Sequence, residues 1–188
     1  TETTWTGTIQ WVNANNLDLA GDARVTGQWI FSGNGTIVGE NSTLDLTRTG
    51  TIRIKANRNI ELNNLTIKGL GTGTIFFDDN TSTLIFKNCV IKLDHSYTVT
   101  SGQWIIASPS KVLTGDNYLR FLTSSRLLVD AGASFEYDTL GANDNNNVVL
   151  LDGSPVSDCG TIVVTRKLPL GPYRYTDDVV LDTDTVIT

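Results

Sequence analysis

The chain has 188 residues, 39% hydrophobic and 18% charged, enough for one well-packed domain. No run approaches about 18 consecutive apolar residues, which excludes a membrane-spanning helix. A net charge of −6 and a pI near 4.6 argue against nucleic acid or an anionic membrane as partner. Threonine occurs 27 times and asparagine 16, Met is absent and His95 stands alone. β-branched residues suit a pleated surface and Asn suits tight turns, so the composition favours β structure.

The chain opens at Thr1 without an initiator Met or a charged-then-apolar leader, which fits a removed signal peptide or an engineered start. An extracellular or cell-surface location is the expectation. Residues 1–16 carry Trp5, Ile9 and Trp11 on an alternating run, Thr4-Trp5-Thr6-Gly7-Thr8-Ile9. They read as an N-terminal strand or hydrophobic cap.

From residue 17 to 167, apolar anchors fall at Ile37, Leu44, Ile52, Ile60, Ile67, Ile75, Leu84 and Ile91, a step of 7 to 9 residues. Around them the pattern alternates, as in Leu44-Asp45-Leu46, Ile52-Arg53-Ile54 and Ile60-Glu61-Leu62. Period-two alternation in short segments means strands with one buried face. The intervening Ser32-Gly33-Asn34-Gly35, Ala56-Asn57-Arg58-Asn59 and Asn63-Asn64 are turn-formers, since Gly and Asn tolerate positive φ. No segment carries a 3.6-residue stripe.

A longer repeat overlies this beat. Thr26-Gly27-Gln28-Trp29-Ile30 returns 75 residues later as Ser101-Gly102-Gln103-Trp104-Ile105. At that offset Ile37 meets Val112, Leu44 meets Leu119, Ile52 meets Leu127 and Ile60 meets Phe135, which reads as a duplication of 26–100 in 101–167. A lag of 24 pairs Ile60 with Leu84, Leu62 with Phe86, Leu65 with Cys89 and Ile67 with Ile91. The duplication then spans three whole turns of roughly 25 residues, three strands to a turn, in strands spaced as in a sheet.

The predicted fold is all-β, a single-stranded parallel β-helix (β-solenoid) of about six to seven coils with terminal strand segments, roughly 30 Å long at about 4.8 Å per rung. A β-sandwich is the runner-up, because its strands recur every ~8–12 residues.

Asn59-Ile60-Glu61-Leu62-Asn63-Asn64-Leu65-Thr66-Ile67-Lys68-Gly69 resembles a coil of the right-handed parallel β-helix (pectate-lyase-like) superfamily. Phe31-Ser32-Gly33-Asn34 resembles the Phe-x-x-Asn element of bacterial autotransported β-helix surface proteins, without its Gly-Gly-Ala companion. The resemblance covers roughly residues 17–165 as architecture and brings no catalytic motif.

Beyond the coil, Leu168-Pro169-Leu170-Gly171-Pro172 gathers strand breakers, since Pro donates nothing to a ladder. Residues 168–188 read as a strand tail with Val179, Leu181, Thr183, Thr185 and Ile187 on one face. Such a tail either folds back on its own coil or adds a strand to a neighbour. The second choice would make Trp5, Ile9, Trp11 and the five tail residues a head-to-tail subunit contact.

Chemistry is sparse. Asp94-His95-Ser96 are adjacent, and adjacent strand residues point to opposite faces. One His with Cys89 and Cys159 cannot supply a closed zinc set. Two cysteines are also too few for a disulfide framework, and some three coils, about 15 Å, would separate them. What the family resemblance implies for an enzyme is Asp clusters, basic residues or Ca²⁺ held by Asp. Asp78-Asp79 with Arg53-Ile54-Lys55 match pieces of that pattern, but the expected Gly-His-Gly is missing. Asp78-Asp79-Asn80 and Asn143-Asp144-Asn145-Asn146-Asn147 read as turns, with a weak Ca²⁺ site left open in either. Asp182 and Asp184 read as edge-protecting charge. Thr-x-Thr at Thr6/Thr8, Thr49/Thr51, Thr72/Thr74 and Thr98/Thr100 resembles ice-binding solenoids but is unevenly spaced. Trp29 and Trp104 read as packing residues.

The reading is a non-catalytic structural subunit of an extracellular fibre or surface layer. It would need no cofactor, assemble with itself, and not bind nucleic acid or insert into a membrane; a surface glycan is a further possible partner. Polysaccharide binding or cleavage along a coil face is the alternative.

Overall fold

In a computed structural model the described residues are 2–13, 15–47, 49–113, 117–122, 124–130, 132–139, 149–151, 156–158, 161–166 and 186–187, with side chains described up to residue 133. The first turn is made by β1 (Thr3–Trp5), β2 (Thr8–Trp11) and β3 (Asn15–Leu19), and β4 (Ala23–Val25) opens the second. Next come β5 (Gln28–Phe31), the long β6 (Gly35–Asp45), β7 (Thr51–Ile54) and the long β8 (Asn59–Leu70). They are followed by β9 (Ile75–Phe77), β10 (Thr83–Lys87), β11 (Val90–Leu93), β12 (Tyr97–Val99), β13 (Gly102–Ile106) and β14 (Ser110–Leu113). Then β15 (Leu119–Phe121), β16 (Ser125–Val129), β17 (Ser134–Thr139) and β18 (Val149–Leu151) continue the chain. β19 (Val156–Asp158), β20 (Thr161–Arg166) and β21 (Val186–Ile187) complete the described strands.

Every pairing among the described strands is parallel, and each strand pairs with one a turn away in sequence. The chain is therefore a parallel β-solenoid, with three faces. Face one stacks β2, β5, β7 and β9, then, as a separate sheet, β12, β15 and β18. Face two stacks β3, the first half of β6, the first half of β8, β10, β13, β16 and β19. Face three stacks β1, β4, the second halves of β6 and β8, β11, β14, β17, β20 and β21.

The 24-residue lag appears as register. Ile60 pairs with Leu84, Leu62 with Phe86, and Ile67 with Ile91. Inward residues stack in columns, such as Leu17, Ile37, Leu62, Phe86, Ile106 and Val129 on face two. From Ile37 onward that column is fully buried. Each fully buried aliphatic or Phe side chain contributes roughly 1.5–3 kcal/mol, which makes the shared core the main source of cohesion. Two aromatic clusters interrupt the aliphatic stack. Trp104 lies 4.8 Å from Phe86, 5.7 Å from Tyr97 and 5.5 Å from Phe121, and Trp5, Trp11, Trp29 and Phe31 fill the first turns.

Corner chemistry explains why the chain can bend so tightly. Between faces two and three, Asn41, Asn64 and Asn88 stand at successive rungs with φ of 61°, 53° and 52°. Asn tolerates that left-handed conformation better than most side chains. β6 and β8 consequently run through this corner as single bent strands, where the sequence suggested a turn at Asn63-Asn64. Between faces one and two, serine hydroxyls reach the rung before: Ser101 donates to the Phe77 carbonyl (3.1 Å) and Ser125 to the Val99 carbonyl (2.9 Å), while Ser82 Oγ lies 2.9 Å from the Lys55 carbonyl and 2.6 Å from Asp79 Oδ1 and shares its one proton between them. Ser82 and Ser125 are wholly buried, so these bonds satisfy groups whose burial would otherwise cost about 1–3 kcal/mol each.

One expectation needs correcting. The 75-residue offset does not span a whole number of turns. A face-one strand recurs after 20 residues from Ile9 to Trp29, then after 23 to Ile52 and 23 to Ile75, so turns are shorter than 25 here. Trp29 lies on face one and Trp104 on face two; Ile37 on face two and Val112 on face three; Leu44 on face three and Leu119 on face one. The offset is thus three turns plus one face. Inward residues stay inward because side-chain direction depends only on alternation within a strand, whichever face carries it.

Candidate functional site

The first rung holds three of the residues expected at a subunit contact. β1 pairs with β4 and β2 with β5 in parallel, so this segment continues the winding. Ile9 stacks on Trp29 and Trp11 on Phe31 in register. Trp11 lies flat against Phe31 (centroids 5.8 Å, 8° between planes), and Trp5 meets Trp29 edge-on at 5.8 Å. All three residues stay half-buried, closing the core while keeping part of their apolar surface open; Val12 beside them is 62% exposed. Among the described residues, β1, β2 and β3 are paired on one side only.

Of the tail, Ile187 lies in β21, whose Val186 and Ile187 pair in parallel with Val163 and Val164 of β20. That stretch adds a further rung to face three of its own coil. Val179, Leu181, Thr183 and Thr185 lie outside the described residues, as do Asp182, Asp184, Cys159 and the 143–147 run.

The Asp78 group does come together. Arg53 points outward from β7 and Asp78 follows β9 one rung on, so the 25-residue spacing puts them side by side. Arg53 Nε lies 2.6 Å from Asp78 Oδ1, and Lys55 Nζ 3.0 Å from Oδ2. Desolvation pushes the Asp78 carboxyl up, but the hydrogen bonds and charges of Arg53 and Lys55 outweigh it and hold the carboxyl below its usual value. Asp79 serves its own turn. Its Oδ1 accepts from the Ser82 hydroxyl (2.6 Å), the Thr81 hydroxyl (2.9 Å) and the backbone N–H groups of Ser82 and Thr81. The Ser82 hydroxyl, partly opposed by desolvation, keeps its carboxyl below the usual value. Four donors already converge on that one oxygen, as in an Asx-type turn. Among the described residues, no group of three or more His, Cys, Asp or Glu could hold a metal ion.

The remaining sequence candidates have structural positions. Asp94 and His95 both donate backbone N–H bonds to the Leu70 carbonyl, and the Ser96 hydroxyl accepts from the Tyr118 N–H. Thr72 Oγ1 donates to the Ser96 carbonyl and accepts from the Thr98 N–H, while Thr74 is buried against Gly71. Those threonines join rungs at a corner and form no flat ladder. Trp29 and Trp104 are wholly buried. Cys89 is a buried free thiol whose Sγ donates to the Leu62 carbonyl, and burial pushes it up to about 11.

Sequence reasoning missed Phe76, 44% exposed on the outside of face one. Its neighbour in the ladder is Arg53. Ile75 and Phe77 both turn inward to the core, so alternation alone requires Phe76 to face out. Gln28, Arg53, Phe76, Phe77 and Asp78 line a shallow depression of about 510 Å³. It lies over the outer surface of β5, β7 and β9, and beyond β9 the ladder of face one is interrupted before β12. There Tyr97 Oη to the Ile75 carbonyl (3.3 Å), Ser101 Oγ to the Phe77 carbonyl and the Thr72 contacts replace strand pairing.

Comparison with known proteins finds no match to a family model, to a curated protein or to a solved structure.

Proposed function

We propose that the chain is a non-catalytic structural subunit of an extracellular fibre or surface layer, built by stacking solenoids head to tail. The observation that carries this reading is the first rung. Its strands are paired on one side only among the described residues, and half-exposed Trp5, Ile9 and Trp11 line that end. An unpaired parallel edge backed by apolar side chains favours another rung, and a heterologous contact of that kind propagates into an open filament. Kinship with the right-handed pectate-lyase-like superfamily, export, and a contact made by the tail belong to the same proposal. Electron microscopy and sedimentation of the purified protein test it. Filaments with an axial repeat matching one solenoid, lost on removing residues 172–188 or in a Trp5→Lys, Trp11→Lys variant that stays folded, support the reading. Dispersed monomers under all conditions, or assembly indifferent to both changes, overturn it.

A glycan contact on a coil face is the second reading, favoured by exposed Phe76 beside Arg53 and Asp78.

A further inference from the structure

We infer that the face-one depression at Phe76 is a binding subsite for a neutral oligosaccharide. The inference rests on the second reading above and is independent of assembly. Three observations carry it. Phe76 places an exposed aromatic ring on the outside, where the solenoid has no need of one: Ile75 and Phe77 already supply that strand's inward side chains. The depression around it is bounded by planar polar groups, the amide of Gln28, the guanidinium of Arg53 and the carboxylate of Asp78. Arg53 and Lys55 grip Asp78 at 2.6 and 3.0 Å, so these groups are held in place before a ligand arrives, which lowers the ordering cost of binding.

The chemistry selects the ligand. A pyranose has an apolar C–H face that can lie on an aromatic ring, and an equatorial rim of hydroxyls that both donate and accept. Phe76 fits the first; Asp78 accepts, Arg53 donates and Gln28 does both. Charge favours a neutral sugar over an anionic one, because the cations Arg53 and Lys55 are matched by the carboxylates Asp78 and Asp79. The depression spans three successive rungs, from Gln28 of β5 through Arg53 of β7 to Phe76 of β9, a length that suits a short chain of sugars better than a single one.

The experiment titrates the intact protein with cellohexaose, maltohexaose, chitohexaose and a galacturonate hexamer. Calorimetry and ligand-observed NMR report binding, and sedimentation follows assembly in parallel. The expected result is binding of at least one neutral hexamer, little changed by salt and weakened about fivefold or more in Phe76→Ala. Gln28→Ala weakens it too, both variants melting as the parent does. No neutral hexamer binding at millimolar concentration, binding unchanged in Phe76→Ala, or binding of the galacturonate hexamer alone with a steep salt dependence would each overturn the inference. Because sugar binding and sedimentation are read separately, loss of assembly leaves this result standing, and loss of sugar binding leaves the assembly proposal standing.

Discussion

Replacing Trp104 by Ala probes the stacked core at its densest point. Trp104 is wholly buried, ringed by Phe86, Tyr97 and Phe121, and paired in register with Leu84 on one rung and Leu127 on the next. Neighbours on both rungs are held by their own ladders and cannot collapse far into the space. The cost belongs at the upper end of the large-to-small range, about 4–5 kcal/mol. Trp29→Ala removes an equally buried ring, but its neighbours Trp5 and Trp11 belong to the half-exposed first rung and can close in, so about 3 kcal/mol is expected. Trp104→Phe should cost under about 1.5 kcal/mol, since the buried indole N–H has no hydrogen-bond partner to lose. Urea unfolding followed by far-UV circular dichroism gives all three values. Costs of Trp104→Ala and Trp29→Ala within about 0.5 kcal/mol of zero would place both rings on the surface and refute the argument.

Gly102 has φ +79° and a Cβ there would fall 2.2 Å from Phe77 Cγ, whereas Gly73, at φ +91°, faces open space. Gly73→Ala should therefore cost about 1–2 kcal/mol of conformational strain, and Gly102→Ala at least about 1 kcal/mol more, read from the same urea curves. Asp78 has a folded pKa below its unfolded value, so its contribution is fully present above pH 3.8 and fades as pH falls through the folded pKa. Asp78→Asn should flatten stability against pH below about 4 while costing less than about 1 kcal/mol at pH 7, because Arg53 and Lys55 are well exposed to water. With its thiol raised to about 11, Cys89 should resist iodoacetamide at pH 8 in the native state and react in urea, as peptide mapping would show.

How much of this was legible in the sequence follows from what each signal encodes. The pairs Ile60–Leu84, Leu62–Phe86 and Ile67–Ile91 could be read because inward alternation persists and the corners between them have nearly constant length. The rotation of Trp29 onto a different face at Trp104 could not, because all three faces share the same alternating pattern and the longer repeat looks alike whichever face it begins on. Arg53, Lys55 and Asp78 were visible as a group once a turn of about 25 residues was known, since that spacing superposes them. Ser82 and Ser125 escaped the sequence reading, because burial of their hydroxyls on the carbonyls of the rung before depends on corner geometry that composition does not encode. Phe76 hid inside the apolar run Ile75-Phe76-Phe77, where a strand with one wet face has to turn its middle residue outward.

Parallel winding is the claim on which the rest depends, and cross-strand nuclear Overhauser effects test it most directly. The account predicts backbone contacts linking Ile60 to Leu84 and Leu84 to Trp104, with residue numbers rising together along every pair: Leu62 with Phe86, Phe86 with Ile106. Contacts between sequence-adjacent strands in which one number rises as the other falls, the signature of hairpins, would contradict it.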